Sequence, residues 1–257
     1  METNEYQKMY DIEKSYWWFL GKHRLVDLLV GNYLRESARQ RLLDVGCGTG
    51  VILELLKTYG MAVGIELSGL AISFAKRRNL HLLVQSDASR GLPFKDNSFS
   101  IITCLDVLEH LDDDSHLIEE MLRVCQPAGH IIITVPAMNS LWSEHDLALH
   151  HRRRYRKGGL LAHVAHLDCL VAKATFFNTF LFLPIFAARK VRALFQRGKA
   201  PRSDFFLPLP SWLNSSLYFL YSLEIALLPI LNLPFGISLL VILQKKPRRP
   251  SMVAYRG

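Results

Sequence analysis

Acidic residues nearly vanish from the second part of this 257-residue sequence: residues 151–257 hold 3 Asp and Glu against 17 Lys and Arg, whereas residues 1–150 hold 20 against 14. The two parts therefore carry +14 and −6, a split that the formal total of +8 conceals. A basic surplus of that kind beside apolar chain asks for an anionic partner or surface. Cysteine is also sparse. Cys47, Cys104, Cys125 and Cys169 stand singly with no CxxC pair, and the N-terminal METNEYQKMYDIEKSY has no apolar signal core. A cytoplasmic chain with reduced thiols is the expectation. Internal repeats and low-complexity tracts are absent, and with 50% hydrophobic residues disorder of the whole chain is excluded. An unbroken membrane span is missing too. Residues 223–243 reach the roughly 20 residues that a bilayer requires, but Glu224, Pro229, Pro234 and Gly236 interrupt them. A helix, a turn and a strand fit that stretch better.

Residues 22–37 show helical apolar spacing at Leu25, Leu28, Leu29 and Tyr33, after which RLLDVGCGTG runs from a short apolar strand into glycines. A helix (VILELLKTYG), a strand (MAVGIEL) and a helix with basic residues in its last turn (LAISFAKRRN) follow. Strands HLLVQSD and FSIITCLD, a helix over about 114–124, the turn QPAG and the strand HIIITVPA continue the alternation. Five strands alternating with helices predict an α/β fold with a parallel, doubly wound sheet. Past Pro136 the alternation stops. A polar loop rich in His and Arg leads to a helix near 160–166 and a sixth strand, LDCLVAKATFF. Two apolar helices, LFLPIFAARKVRALF and SWLNSSLYFLYSLEIALL, then flank the basic linker QRGKAPRSDFFLPLP, and the strand ISLLVILQKK comes last.

The chemistry concentrates at Asp44-Val45-Gly46-Cys47-Gly48-Thr49-Gly50. Glycines in a strand-to-helix turn let the backbone approach a ligand closely, and Glu66, at the end of the second strand, is suited to accept hydrogen bonds from ribose hydroxyls. A nucleoside is expected. The G-x-G-x-G spacing lacks the third glycine of a pyrophosphate fingerprint, and Asp44 repels a diphosphate, so a cationic ligand fits better. Taken singly, a glycine turn or a strand-end acid is an ordinary turn or cap. With Asp44 and Asp87 at further strand ends, the set points to one site.

LLDVGCGTG, VGIELS, QSDASRGLPFKDNSFS and LDVLEHL occur in this order between residues 42 and 111. In that combination the chain resembles a class I S-adenosylmethionine-dependent methyltransferase, closely the large bacterial subgroup with LDVGCGTG and DVLEHL, over roughly its first 136 residues. Ser100 stands where that subgroup usually has Asp. The resemblance implies a Rossmann-like seven-stranded mixed sheet with the last strand antiparallel, and S-adenosyl-L-methionine as cofactor. It sets Gly46 and Gly48 against the methionine part, Glu66 on the ribose, and Asp87 with Ala88 at the adenine amino group. Asp44, Cys47, Leu67 and Leu105 complete the cofactor-binding set, and Arg24, after Tyr16-Trp17-Trp18-Phe19, reaches for the cofactor carboxylate.

Methyl transfer is an in-line displacement at sulfonium, so alignment matters most and a base matters only where the acceptor carries a proton. His110, His145 and His150 are the catalytic candidates, with His151 in the same loop; packing beside the fourth strand is the competing role for His110. Asp106, Glu109, His110 and His145 could form a hard-ligand set such as some quinone-type methyltransferases carry, but no spacing demands it and a metal-free site is expected. The run His150-His151-Arg152-Arg153-Arg154-Tyr155-Arg156-Lys157 follows strand five, where Arg suits a phosphate or carboxylate, so an anionic acceptor is expected there unless the run is a solvated loop. Nucleic acid is disfavoured. Phe176, Phe177, Phe180, Phe182, Phe186, Trp212, Tyr218, Phe219 and Tyr221 make the following segment too apolar for a wet phosphate-reading surface.

The chain divides into a helical cap (1–36), the cofactor-binding core (37–177), an apolar and basic helical insertion (178–236) and a final strand with a basic tail (237–257). Arg189, Lys190, Arg192, Arg197, Lys199 and Arg202 adjoin the insertion's apolar residues, a mixture suited to peripheral contact with an anionic inner-membrane surface. The expectation is O- or N-methylation of a small or lipid-linked, anionic acceptor. Its rivals are a non-catalytic cofactor-binding protein, and an enzyme for a soluble metabolite whose insertion is a lid or a homodimer interface.

Overall fold

The computed structural model describes residues 3–34, 40–195 and 209–247, with no side-chain description for residues 3–4 and 190–195. Lys190 and Arg192 as side chains, and Arg197, Lys199, Arg202 and the tail beyond residue 247 altogether, lie outside the described residues. Strands β1 (Arg41–Val45), β2 (Met61–Glu66), β3 (Leu83–Gln85), β4 (Phe99–Leu105), β5 (Cys125–Pro136), β6 (Cys169–Phe177) and β7 (Ser238–Lys245) form one sheet in the order β3-β2-β1-β4-β5-β7-β6. The first five are parallel, and β7 runs antiparallel to both β5 and β6. The Rossmann-like mixed sheet read from the sequence is the one observed.

Apolar runs in the central strands make both faces bury: Ile131, Ile132 and Ile133 of β5 and Leu239 to Leu243 of β7 are fully buried. Helices α2 (Trp17–Tyr33), α3 (Val51–Leu56) and α9 (Ser211–Leu227) cover one face. Helices α5 (Asp114–Val124) and α7 (Lys157–Val164) cover the other. The strand order reverses between β1 and β4, and the crevice at the carboxyl ends of the strands there is where such sheets bind ligands.

Residues 223–243 resolve into the end of α9, a turn and β7, and among the described residues no helix is long and apolar enough to cross a membrane. Helices α8 (Phe182–Phe195) and α9 form the expected insertion between β6 and β7. Within the expected helical cap lies α1 (Thr3–Ile12), which packs on α4 (Gly69–Arg77). Two local features differ from the sequence reading. The His-rich loop contains a short helix, α6 (Glu144–Ala148). QPAG lies inside β5, where a register shift opposite Phe99 and Ile101 absorbs it and Ala128 takes φ +62°.

The insertion and α2 are interlocked. Tyr16, at the N-cap of α2, offers no side-chain cap; instead Asn214 of α9 accepts from the Trp17 backbone N–H at 2.9 Å and donates to Ser15 O at 2.9 Å. A Cβ at Gly21 would lie 2.0 Å from the Tyr221 ring, so only glycine lets α2 and α9 approach this closely.

Candidate active site

One cavity of about 440 Å³ opens at the carboxyl ends of β1, β2, β4 and β5, with α1 and α2 over it. Twelve of the thirteen residues singled out from the sequence line it. At the end formed by β1 and β2 stand Asp44, Gly46, Cys47, Gly48, Glu66, Leu67, Asp87, Ala88 and Leu105; towards β4 and β5 stand His110, His145 and His150. Arg24 is the exception. It is exposed and outside the lining, and the cation from α2 that enters the cavity is Lys22.

The glycine turn is built on positive φ at Gly46 (+72°), Gly48 (+53°) and Gly50 (+89°), conformations that disfavour other residues. Its second glycine, Gly48, donates its N–H to Glu66 Oε2 at 3.0 Å, and Ser68 N–H donates to Glu66 Oε1 at 2.8 Å. The acid at the tip of β2 is thus aimed by the turn itself. Asp87 is held differently: its Oδ1 receives the Ser89 N–H at 3.0 Å and the Ser89 hydroxyl at 2.6 Å, which keeps its carboxyl low. Leu67 stands 64% exposed at the rim. Burial pushes the Cys47 thiol far up, so it stays protonated and is no nucleophile.

Asp44 is buried on β1 and accepts the Thr103 hydroxyl at 2.7 Å. Burial pushes its carboxyl up to about 7, Thr103 opposing and the Glu66 charge adding. With its pKa raised, Asp44 favours the ligand-free fold below the unfolded value of about 4, and that contribution is lost as pH rises through about 7. A cationic ligand favours the ionised form. S-adenosylmethionine is therefore expected to bind with proton release near pH 6, seen by titration calorimetry in buffers of different ionisation heat, and with affinity that climbs towards pH 8. Equal proton release by Asp44→Asn would remove Asp44 as the source.

The other end of the cavity is rich in charge. Lys22 pairs with Asp106, a residue at φ +53° that also accepts from Thr134 at 3.1 Å. Burial pulls the Lys22 ammonium down and pushes the Glu109 carboxyl up. Glu109 is fully buried, and neither of its carboxylate oxygens has a hydrogen-bond partner. His110 is pulled down to about 4 by burial and by His151, and His145 falls well below its usual value through burial and the Arg189 charge, so both are neutral near pH 7. His150 is exposed, at φ +57°.

The residue that the sequence reading left off its catalytic set is His151. Its Nδ1 lies 3.0 Å from Asp146 Oδ1 and its Nε2 lies 3.9 Å from Glu109 Oε1. Burial raises the Asp146 carboxyl, but bonds from His151, Arg154 and the Ser143 backbone overcome this and hold it well below the usual range. An ionised Asp146 only accepts, so Nδ1 carries the hydrogen that joins them. Asp146 sits on α6, the helix that the sequence had concealed.

The arginine run serves the fold first. Arg152 pairs with Asp112, Arg153 donates to Leu111 O and Asp112 O at 3.0 and 2.9 Å, and Arg154 is buried against Asp146 at 2.8 and 3.0 Å. These bonds stitch the loop after β5 to the loop after β4. Arg152 to Arg154 are therefore committed internally, and Arg189 of α8 is the guanidinium that the insertion adds to the cavity wall.

Residues 43–133 match the model of a methyltransferase domain. The ubiquinone biosynthesis O-methyltransferases of Vibrio cholerae and Saccharophagus degradans are 26% and 33% identical to this chain over 151 and 131 residues, or 52% and 46% of it. The chain spans only 60% and 56% of the length of those two relatives. An S-adenosylmethionine-dependent methyltransferase of Archaeoglobus fulgidus, 21% identical, superposes with a TM-score of 0.54 over 87% of this chain and 94% of its own, a likeness of fold. The sheet order, the glycine turn and the acid at the tip of β2 agree with the match, and residues 43–133 form a methyltransferase domain on a class I, Rossmann-like fold.

Proposed function

We propose that this chain transfers the methyl group of S-adenosylmethionine to a hydroxyl oxygen of a small or lipid-linked acceptor. One observation carries the reading: the single cavity joins the nucleoside-type end at Gly46, Gly48 and Glu66 to the Asp146–His151 dyad. The bound cofactor supplies an electrophilic methyl on a sulfonium. His151 Nε2 would accept the hydrogen bond of an acceptor hydroxyl and take its proton as that oxygen is methylated. Asp146 fixes the tautomer that makes this transfer feasible. Trp18 and Phe19 wall the acceptor end with apolar rings, and Arg189 gives an anionic group on the acceptor a counter-charge.

Support for a lipid-linked acceptor comes from α9. Its solvent face, from Ser211 through Trp212, Ser215, Ser216, Phe219, Leu220 and Leu223 to Ala226, carries no charged residue, and Trp212 and Phe219 are 69% and 60% exposed. Such a face beside a basic segment suits an anionic bilayer surface. Tritium from the methyl group of the cofactor, followed in extracts split into lipid and aqueous fractions, is expected in the lipid fraction. Label confined to the aqueous fraction favours a soluble acceptor, and no transfer to either fraction defeats the enzyme reading.

A second reading has its own observation, the orphaned Glu109 carboxylate. Glu109, His110 and His151 bring one ligand atom each within 4.8 Å of one another, a donor set of one carboxylate and two imidazoles that fits a divalent cation. Such an ion would supply Lewis acidity at the acceptor oxygen. Activity that survives exhaustive EDTA treatment favours the dyad; loss reversed by a divalent ion favours the cation.

A further inference from the structure

Helix α1 lies outside the sheet, yet Tyr6 and Met9 from it, and Glu13 just past its end, line the cofactor end of the cavity. Glu13 is 2% exposed. Its carboxylate receives the Thr49 hydroxyl at 2.7 and 2.6 Å and pairs with the Arg78 guanidinium, while Arg78 Nε donates to Thr49 O at 3.0 Å. The Tyr10 ring of α1 lies 4.3 Å from the same guanidinium. Thr49 sits between Gly48 and Gly50, so the N-terminal segment is fastened to the turn that must accommodate the cofactor. A buried ion pair is a costly fastener compared with apolar packing, and removal of one partner leaves the other charge buried without compensation.

We propose that Glu13 is a positioning residue: with Arg78 it latches α1 over the cofactor end, so that cofactor entry and release require this contact to break and the seat of α1 follows the state of the glycine turn. The proposal rests on the S-adenosylmethionine reading above. Met9 touches the turn from above, its Cε 3.8 Å from where a Cβ on Gly48 would stand, so a displaced α1 uncovers the turn. Cofactor and product share this end of the cavity, and the latch therefore governs exchange of both.

The test is stopped-flow release of S-adenosylhomocysteine from the full chain, with hydrogen exchange read over residues 3–12. In the unsubstituted chain the ligand is expected to increase protection of that segment. Glu13→Ala, which loses both charge-assisted contacts, is expected to speed release by roughly tenfold or more and to abolish the added protection. Glu13→Gln, which keeps an acceptor for Thr49, should recover part of both effects, a graded rescue that a loss of fold would not produce. Tight binding with unchanged release in both variants overturns the latch alone, as does exchange in residues 3–12 that ignores the ligand in the unsubstituted chain. Absence of ligand binding to the unsubstituted chain overturns the cofactor reading and the latch with it.

Discussion

Replacement of His151 by alanine is expected to lower kcat by about a hundredfold to ten-thousandfold, the usual span for loss of a positioned base, while S-adenosylhomocysteine binds as before. His151 lines the cavity, Asp146 accepts its Nδ1 hydrogen at 3.0 Å, and its Nε2 lies 3.9 Å from Glu109 Oε1. His110 and His145 also line the cavity and are held neutral near pH 7 by burial, so His110→Ala and His145→Ala are the comparison variants. Asp146→Asn should cut kcat as well, because an amide can present its N–H and stabilise the wrong tautomer. That variant also leaves the buried Arg154 without its counter-charge, so its melting temperature should fall. A His151→Ala enzyme with normal kcat and a proton-bearing acceptor would end the role assigned to the dyad.

Glu66→Ala is expected to weaken binding of S-adenosylhomocysteine by about 1–3 kcal/mol, roughly five- to 150-fold, measured by calorimetry. Two losses combine. Ribose hydroxyls placed at the tip of β2 would lose an acceptor, and the N–H groups of Gly48 and Ser68 lose the carboxylate oxygens they meet at 3.0 and 2.8 Å. Glu66→Gln keeps one oxygen and should fall between the two. Affinity unchanged by either substitution would take the nucleoside away from the tip of β2.

The strands, the glycine turn and the acids at strand tips were legible because each depends on local pattern: apolar runs, glycines between a strand and a helix, an acid where a strand stops. Lys22 against Arg24 shows where local pattern was read too loosely. Two residues apart on a helix means about 200° around it, so only one of the pair can face the sheet. Trp18, Lys22, Leu25 and Leu29 share the inward stripe, and the buried Leu25 and Leu29 could have assigned Lys22 to it. The bounds of helix α1 were hidden by its polar composition, although Tyr6, Met9, Tyr10 and Glu13 recur at helical spacing. The Asp146–His151 pair had no such signal. It depends on the turn that ends α6, where His150 takes φ +57° and His151 N–H meets Asp146 O at 2.9 Å, and this helix-end motif was hidden because α6 itself is only five residues long.

The contact between Gly21 and Tyr221 bears on how acceptor preference can be exchanged between relatives. Tyr221 occupies the space a side chain at position 21 would need and stacks on Phe177, while its helix supplies the cap that α2 lacks. A chimera that takes its insertion from another methyltransferase, yet keeps residues 15–22 of this chain, would inherit a hole where Tyr221 had been and an uncapped helix start. The helix so weakened is the one that delivers Trp18 and Lys22 to the cavity. Segments about 200 residues apart in sequence thus travel as one module, and recombination that respects chain order alone will break it.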